Sequence, residues 1–206
     1  MRTLRIDPGH GGENMGTTAG GLVEKDIALL VCQNLSVLLS EAGLPHELLR
    51  DSDATLSQWA RGLGSTRDSL TISLHVNSLQ SRPDVHGAEC FIWPGYYLGP
   101  KGVYLEGEGN PLARRVAQTI LDNLPPDLHS RGVIVAKRDL DGDGDTRDDR
   151  WIENPRAILA AHAGPVVLFE AGYASNPENA AFLKTPRGRM GLALAMFEAS
   201  KEWLLC

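Results

Sequence analysis

Apolar runs of strand length alternate with segments of helical period from one end of the chain to the other. That alternation constrains the fold more than any other feature of the sequence. TLRID (3–7), PHELLR (45–50), LTISLH (70–75), GAECFIW (87–93), RGVIVAK (131–137) and PVVLFEAGY (165–173) read as strands. IALLVCQNLSVLLSEAG, which follows Asp26 and stops at Gly43, reads as a helix, as do residues 55–67, although Gly62 and Gly64 weaken the later part of the second. PLARRVAQTILDNL (111–124) carries Pro111 at its first turn, and NPENAAFLK opens a further helix with Asn176 as cap and Pro177 at the first position. GRMGLALAMFEASKEWLL closes the chain as a helix. GGENMGTTAGG (11–21) and residues 94–110 are rich in glycine and read as loops. Parallel strands need crossovers, and helices supply them. The pattern predicts an α/β three-layer sandwich with a mostly parallel, roughly six-stranded sheet flanked by helices.

Neither a repeat nor a linker divides the 206 residues, so residues 1–206 are read as one domain with a full core. A net charge of −6 and scattered basic residues argue against nucleic acid as a partner, since phosphate binding needs clustered Lys and Arg. Cys32, Cys90 and Cys206 are far apart and odd in number, so they predict no disulfide framework and no zinc knuckle. Met1 runs almost directly into a strand, which leaves no room for a signal peptide, and no apolar stretch is long enough to span a membrane. The chain is expected to be monomeric. It is expected either to wait in the cytoplasm until released or to be a trimmed part of an exported periplasmic or extracellular protein.

In open α/β sheets ligands bind at the carboxyl ends of the strands, so polar residues there carry the information. They are His10 after the first strand, His75 at the end of the third and Glu170 within the last, with Glu24 just before the first helix. Two neutral imidazoles and one carboxylate suit a catalytic zinc that keeps a position open for water, and a second carboxylate could move the proton. A lone histidine at a strand end is more often structural, and these residues form no local motif, so the spacing leaves both readings open. The glycines of DPGHGG do not make a phosphate cradle. No Lys-Ser or Lys-Thr follows them, and Pro8 has no N–H to offer.

DPGHGG, VEKDIAL, ISLHVNS and VVLFEAGYASNPENAAFL, in that order, resemble the four signature blocks of the zinc-dependent N-acetylmuramoyl-L-alanine amidases, the Amidase_3 group. LLRDSDATLSQWARGLGS and SRGV are similar to further stretches of that family. The resemblance implies that His10, Glu24 and His75 are the three zinc ligands, one zinc per chain, and that Glu170 is the catalytic glutamate. It implies an α/β sandwich around a mostly parallel six-stranded sheet. The implied reaction is cleavage of the amide between the lactyl group of N-acetylmuramic acid and L-alanine in bacterial peptidoglycan, with the activity of an autolysin or a phage-type endolysin. Asn77 matches the family's His-x-Asn and is a candidate for a substrate or supporting role, while Arg131 matches a recurrent arginine without an assigned role. His46, His86, His129 and His162 match no motif and are expected to be surface or structural.

RDLDGDGDTRDDRWIENPRAI departs from the family as an acidic insertion. Asp139, Asp141, Asp143 and Asp145 fit the first half of a calcium loop, but its twelfth position would be Arg150, so Ca2+ binding and a solvated acidic loop both remain open. FIWPGYYLGP (91–100) either flanks the groove, with aromatic rings for sugar or peptide stacking, or packs on the fold, and both readings remain open. No long insertion reads as a plug over the zinc site, so the site is expected to be open without an activator. A zinc carboxypeptidase or aminopeptidase-like hydrolase would need a terminal-carboxylate pocket or a second metal, and the sequence shows no clear set for either. A catalytically silent cell-wall binding module would be favoured by loss of a site residue, yet all four positions are filled.

Overall fold

The computed structural model describes residues 2–93, 97–99, 102–104, 110–135 and 162–205. In chain order the strands are β1 (Thr3–Pro8), β2 (Thr18–Ala19), β3 (Leu22–Val23), β4 (His46–Leu48), β5 (Ser69–Asn77), β6 (Ala88–Ile92), β7 (Tyr97–Gly99), β8 (Gly102–Tyr104), β9 (Ser130–Val135) and β10 (Val166–Tyr173). The helices are α1 (Glu24–Glu41), α2 (Gln58–Gly62), α3 (Pro111–Asp122), α4 (Pro177–Lys184) and α5 (Pro186–Leu204). Six strands form the central sheet in the order β4-β1-β5-β10-β6-β9. β4, β1, β5 and β10 run parallel; β6 joins β10 antiparallel and β9 follows β6 in parallel, so the sheet is mixed and mostly parallel.

Side chains alternate across a strand, and here the two faces differ in kind. Leu4 and Ile6, Leu70, Ile72, Leu74 and Val76, Val167, Phe169 and Ala171, and Ala88, Cys90 and Ile92 share one buried apolar cluster. Most residues between them, Arg5 and Asp7, Thr71, Ser73 and His75, Glu170, and Glu89, are also buried but polar, with Leu168 a buried apolar exception. The apolar face receives α1, α3 and α5, which pack on the sheet and on one another. α1 contributes Ile27, Ala28, Val31, Cys32, Leu35 and Leu39 at helical spacing, each 5% exposed or less. Ile27, Val31, Leu35 and Leu39 each contribute about 1.5–3 kcal/mol by leaving water. The helix ends where Gly43 turns to φ +67.

α2 is shorter than residues 55–67. The Ser57 hydroxyl caps it by accepting from the Ala60 N–H, and Gly62 ends it. Two short antiparallel pairs, β2 with β3 and β7 with β8, stand where the sequence reads as loop. Among the described residues no helix is long and apolar enough to cross a membrane.

Candidate functional site

The carboxyl end of β1 delivers His10 through a turn that is held on several sides. His10 takes φ +58 and is the one non-glycine residue at positive φ among those described. Such a backbone costs on the order of 1–3 kcal/mol and persists only where its surroundings impose it. Buried Arg50 donates to the Pro8 carbonyl at 3.0 Å and to the Gly9 carbonyl at 2.8 Å. Buried Arg61 donates to the Pro8 carbonyl at 2.9 Å and the His10 carbonyl at 2.5 Å, and also pairs with buried Asp7. Lys25 donates to the Gly12 carbonyl at 2.8 Å while Asp53 accepts from the Gly12 N–H at 2.7 Å. A Cβ on Gly16 would lie 2.5 Å from Glu24 Oε2 and 2.6 Å from His10 Cδ2, so only glycine lets the loop pass the two side chains.

The three expected ligands meet. His10 Nε2 lies 3.0 Å from Glu24 Oε1, His75 Nδ1 lies 2.9 Å from the same oxygen, and the two ring nitrogens are 3.2 Å apart. One ligand atom from each residue falls within 4.8 Å of the others. Asn14 fixes how His10 enters this group. Its Oδ1 accepts from the Gly16 N–H at 3.2 Å, which sets the amide orientation, and it lies 2.9 Å from His10 Nδ1. The oxygen can only accept, so Nδ1 carries the hydrogen and Nε2 turns a lone pair inward.

Glu24 is the first residue of α1, where the helix N-terminus favours a carboxylate. The Val76 N–H donates to its Oε1 at 2.9 Å and the Thr17 N–H to its Oε2 at 2.7 Å. Burial opposes ionisation, but the hydrogen bonds and charges of His10 and His75 outweigh it and hold the carboxyl well below the usual range. His10 moves the other way. Burial lowers it, yet the hydrogen bond and charge of Glu24 and the contact with Asn14 leave its pKa raised. Two ring nitrogens and an ionised carboxylate aimed at one point form a set that a single divalent cation satisfies, and two imidazoles with one carboxylate suit zinc. The residues fit that metal.

Glu170 stands beside this group. It is the register partner of His75 across β5 and β10, is 5% exposed, and its Oε2 has no hydrogen-bond partner among the described residues. Burial pushes its carboxyl well above the usual range, and the negative charges of Glu24 and Glu89 add to the shift.

Sequence reasoning missed Glu89, the register partner of Glu170 on β6. Its Oε1 accepts from the Tyr173 hydroxyl at 2.9 Å and from Asn77 Nδ2 at 3.0 Å, and its Oε2 from Arg131 Nε at 2.9 Å. Asn77 thus supports Glu89, while its own Oδ1 accepts from the Ser78 N–H at 2.8 Å. The alternation in AECFI, with Glu89 and Phe91 opposite Ala88, Cys90 and Ile92, was the available signal.

The remaining histidines lie outside the group. His46 bonds Ser36 and the Leu44 carbonyl, His162 is buried against Thr71 and Arg5, and His86 and His129 are exposed with ring centroids 5.7 Å apart. Cys32 and Cys90 are buried free thiols whose pKa burial pushes up. The Asp-rich stretch with Asp139, Asp141, Asp143 and Asp145 lies outside the described residues.

The Amidase_3 family, N-acetylmuramoyl-L-alanine amidase, matches residues 4–201 of the chain. A germination-specific N-acetylmuramoyl-L-alanine amidase of Bacillus subtilis (strain 168) is 27% identical over 213 residues, which covers 96% of this chain and 77% of that protein. An endolysin of Bacillus phage SPP1 is 37% identical over 76 residues, covering 35% of this chain and 28% of the phage protein. Among solved structures, the N-acetylmuramoyl-L-alanine amidase AmiC2 of Nostoc punctiforme is 26% identical with a TM-score of 0.73, covering 100% of this chain and 98% of its own.

Proposed function

The chain belongs to the N-acetylmuramoyl-L-alanine amidase family, and we propose that it hydrolyses the amide between the lactyl group of N-acetylmuramic acid and L-alanine in peptidoglycan, with zinc held by His10, Glu24 and His75. The observation that carries this reading is the convergence of three ligand atoms within 4.8 Å beside a buried carboxyl with an unpartnered oxygen. Zinc, when bound, polarises an amide carbonyl and makes water more acidic.

The chain's own groups do the rest. His10 is turned inward by Asn14, and the Glu24 carboxylate is held in place by its two backbone donors, so the ligands are set before any metal arrives. Glu170 Oε2 takes a proton from the attacking water and gives it to the departing alanine nitrogen. Burial raises the proton affinity of this carboxyl, which favours its holding the proton between the two halves of that transfer. The filled set of four residues favours a hydrolase over a silent binding module.

Digestion of purified peptidoglycan, read by mass spectrometry, tests the reading. Products with new L-alanine amino termini and free lactyl carboxyls are expected. Either a strong chelator or Glu170→Gln should cut their yield, the variant by about 10²–10⁴-fold in rate. Cleavage of any other bond, or full activity surviving both treatments, would overturn it.

A further inference from the structure

Glu89 and its partners take no part in the proton path assigned to Glu170, and the side chain they carry to the surface is Arg131. Local features aim that side chain. β6 and β9 pair Ala88 with Ser130 and Glu89 with Gly132, so Arg131 is the extra residue of a β-bulge. Bulges beside active sites re-aim side chains in this way. Gly132 takes φ +100, a conformation that glycine adopts without strain. Gly87 leaves room for the arginine stem, since a Cβ there would lie 3.0 Å from Arg131 Cγ and 3.3 Å from its Cδ.

The guanidinium is held as well as aimed. Its Nε donates to Glu89 Oε2 at 2.9 Å, and it sits 5.3 Å from the centre of the Tyr173 ring. Glu89 is anchored in turn by Tyr173 and Asn77, yet the Arg131 side chain stays 36% exposed. Among the described residues Glu89 is the one acid paired with the guanidinium, through Nε, and the Tyr173 side chain neighbours it, which leaves a terminal nitrogen for a second anion. A planar fork fixed at its base grips a carboxylate with little loss of freedom.

The place is right for one. His75, Glu170, Glu89 and Gly132 are register partners across the sheet, so Arg131, the bulge residue just before Gly132, adjoins the row that carries the site. At about 4.8 Å per strand, the backbone that carries Arg131 stands on the order of 10 Å from that of Glu170, and the guanidinium leans back from there onto Glu89. A carboxylate one residue beyond the alanine lies roughly 5–7 Å from the amide nitrogen that Glu170 must reach.

We propose that Arg131 is a specificity-determining residue that binds a free carboxylate on the residue after L-alanine in the stem peptide, a role that rests on the amidase reading. Peptides carrying that carboxylate are preferred substrates, and peptides carrying a carboxamide at the same place are poor ones.

The test uses two N-acetylmuramoyl peptides that are identical except for a free α-carboxylate or a carboxamide on the second residue. The wild-type kcat/KM favours the acid by about 10–100-fold. Arg131→Gln brings the ratio near one, mainly through KM on the acid, with zinc content unchanged. Equal wild-type rates on the two peptides overturn the proposal. So does an equal loss on both in Arg131→Gln, which would mark a role confined to supporting Glu89. Failure to release the peptide with its L-alanine amino terminus from either substrate overturns the amidase reading, and this proposal falls with it. The wild-type protein supplies a measurement that needs no variant. Added salt screens the partly exposed guanidinium, so the preference shrinks with ionic strength, and a salt-independent preference counts against Arg131.

Discussion

Replacing Asn14 by leucine keeps the side-chain size, removes both polar atoms and should weaken zinc binding about tenfold. The size of the effect follows from what Asn14 touches. Its Oδ1 meets His10 Nδ1 at 2.9 Å and the Gly16 N–H at 3.2 Å, so one atom sets both the ring's tautomer and the course of the loop against it. Groups that orient a metal-bound histidine are worth about 10–100-fold in affinity. The lower end applies because the His10 side chain is 20% exposed and water can take over as acceptor. Asn14→Asp keeps the acceptor, adds a charge and should tighten binding. Competition with a chromogenic chelator at fixed pH reads both changes, since protons compete with the metal for the same nitrogens. A folded Asn14→Leu protein that binds zinc as tightly as the wild type would refute the reasoning, because the tautomer would then not depend on Asn14.

Arg61→Leu removes the donors to the Pro8 and His10 carbonyls and leaves Asp7, which is fully buried, without its cation. A loss of about 3–5 kcal/mol in urea unfolding is expected, and adding Asp7→Asn to the same chain should recover part of it; no recovery would contradict the pairing. His162 is depressed to about 4 by burial, with the charges of Arg5 and Arg61 adding to it, so the folded state holds it neutral where the unfolded chain takes up a proton below 6.5. The unfolded state binds the extra proton in that window, so stability falls as pH drops through it, by up to about 3 kcal/mol. The difference in melting temperature between wild type and His162→Asn should therefore change between pH 7 and 4.5, and a constant difference counts against the assignment. Gly16→Ala forces a Cβ onto Glu24 and His10 at φ +64 and should cost zinc affinity before it costs the fold, as zinc titration and circular dichroism would show.

The architecture was legible because helical and strand periods differ, and the strand ends carried His10, His75 and Glu170 on segments whose identity was plain. What the sequence obscured was the second face of the sheet. Arg5, Asp7, Thr71, Ser73 and Glu89 alternate with apolar residues, yet the strands read as simple apolar runs because both faces are buried. Polar residues on a buried face pair with partners far away in sequence, as Asp7 does with Arg61 and Ser73, and no local pattern announces such pairs. Asn14 lay in a glycine-rich loop where an asparagine suits any turn. α2 came out short because Gly62 and Gly64 outweigh the helix formers around them, and the β7–β8 pair formed in a stretch where glycine and proline suggested only loop. The helix start moved back to Glu24, which makes the carboxylate both the opening residue of α1 and a member of the site.

Zinc content is the measurement that bears most directly on the central claim. Wild-type protein, stripped by chelator, reloaded and analysed by native mass spectrometry, should carry one zinc per chain, while His10→Ala, Glu24→Ala and His75→Ala should each carry none under the same conditions. Glu170→Gln should keep its zinc. Retention of a full zinc by any of the three ligand variants, or its loss from Glu170→Gln, would contradict the division of the site into three metal ligands and one proton carrier.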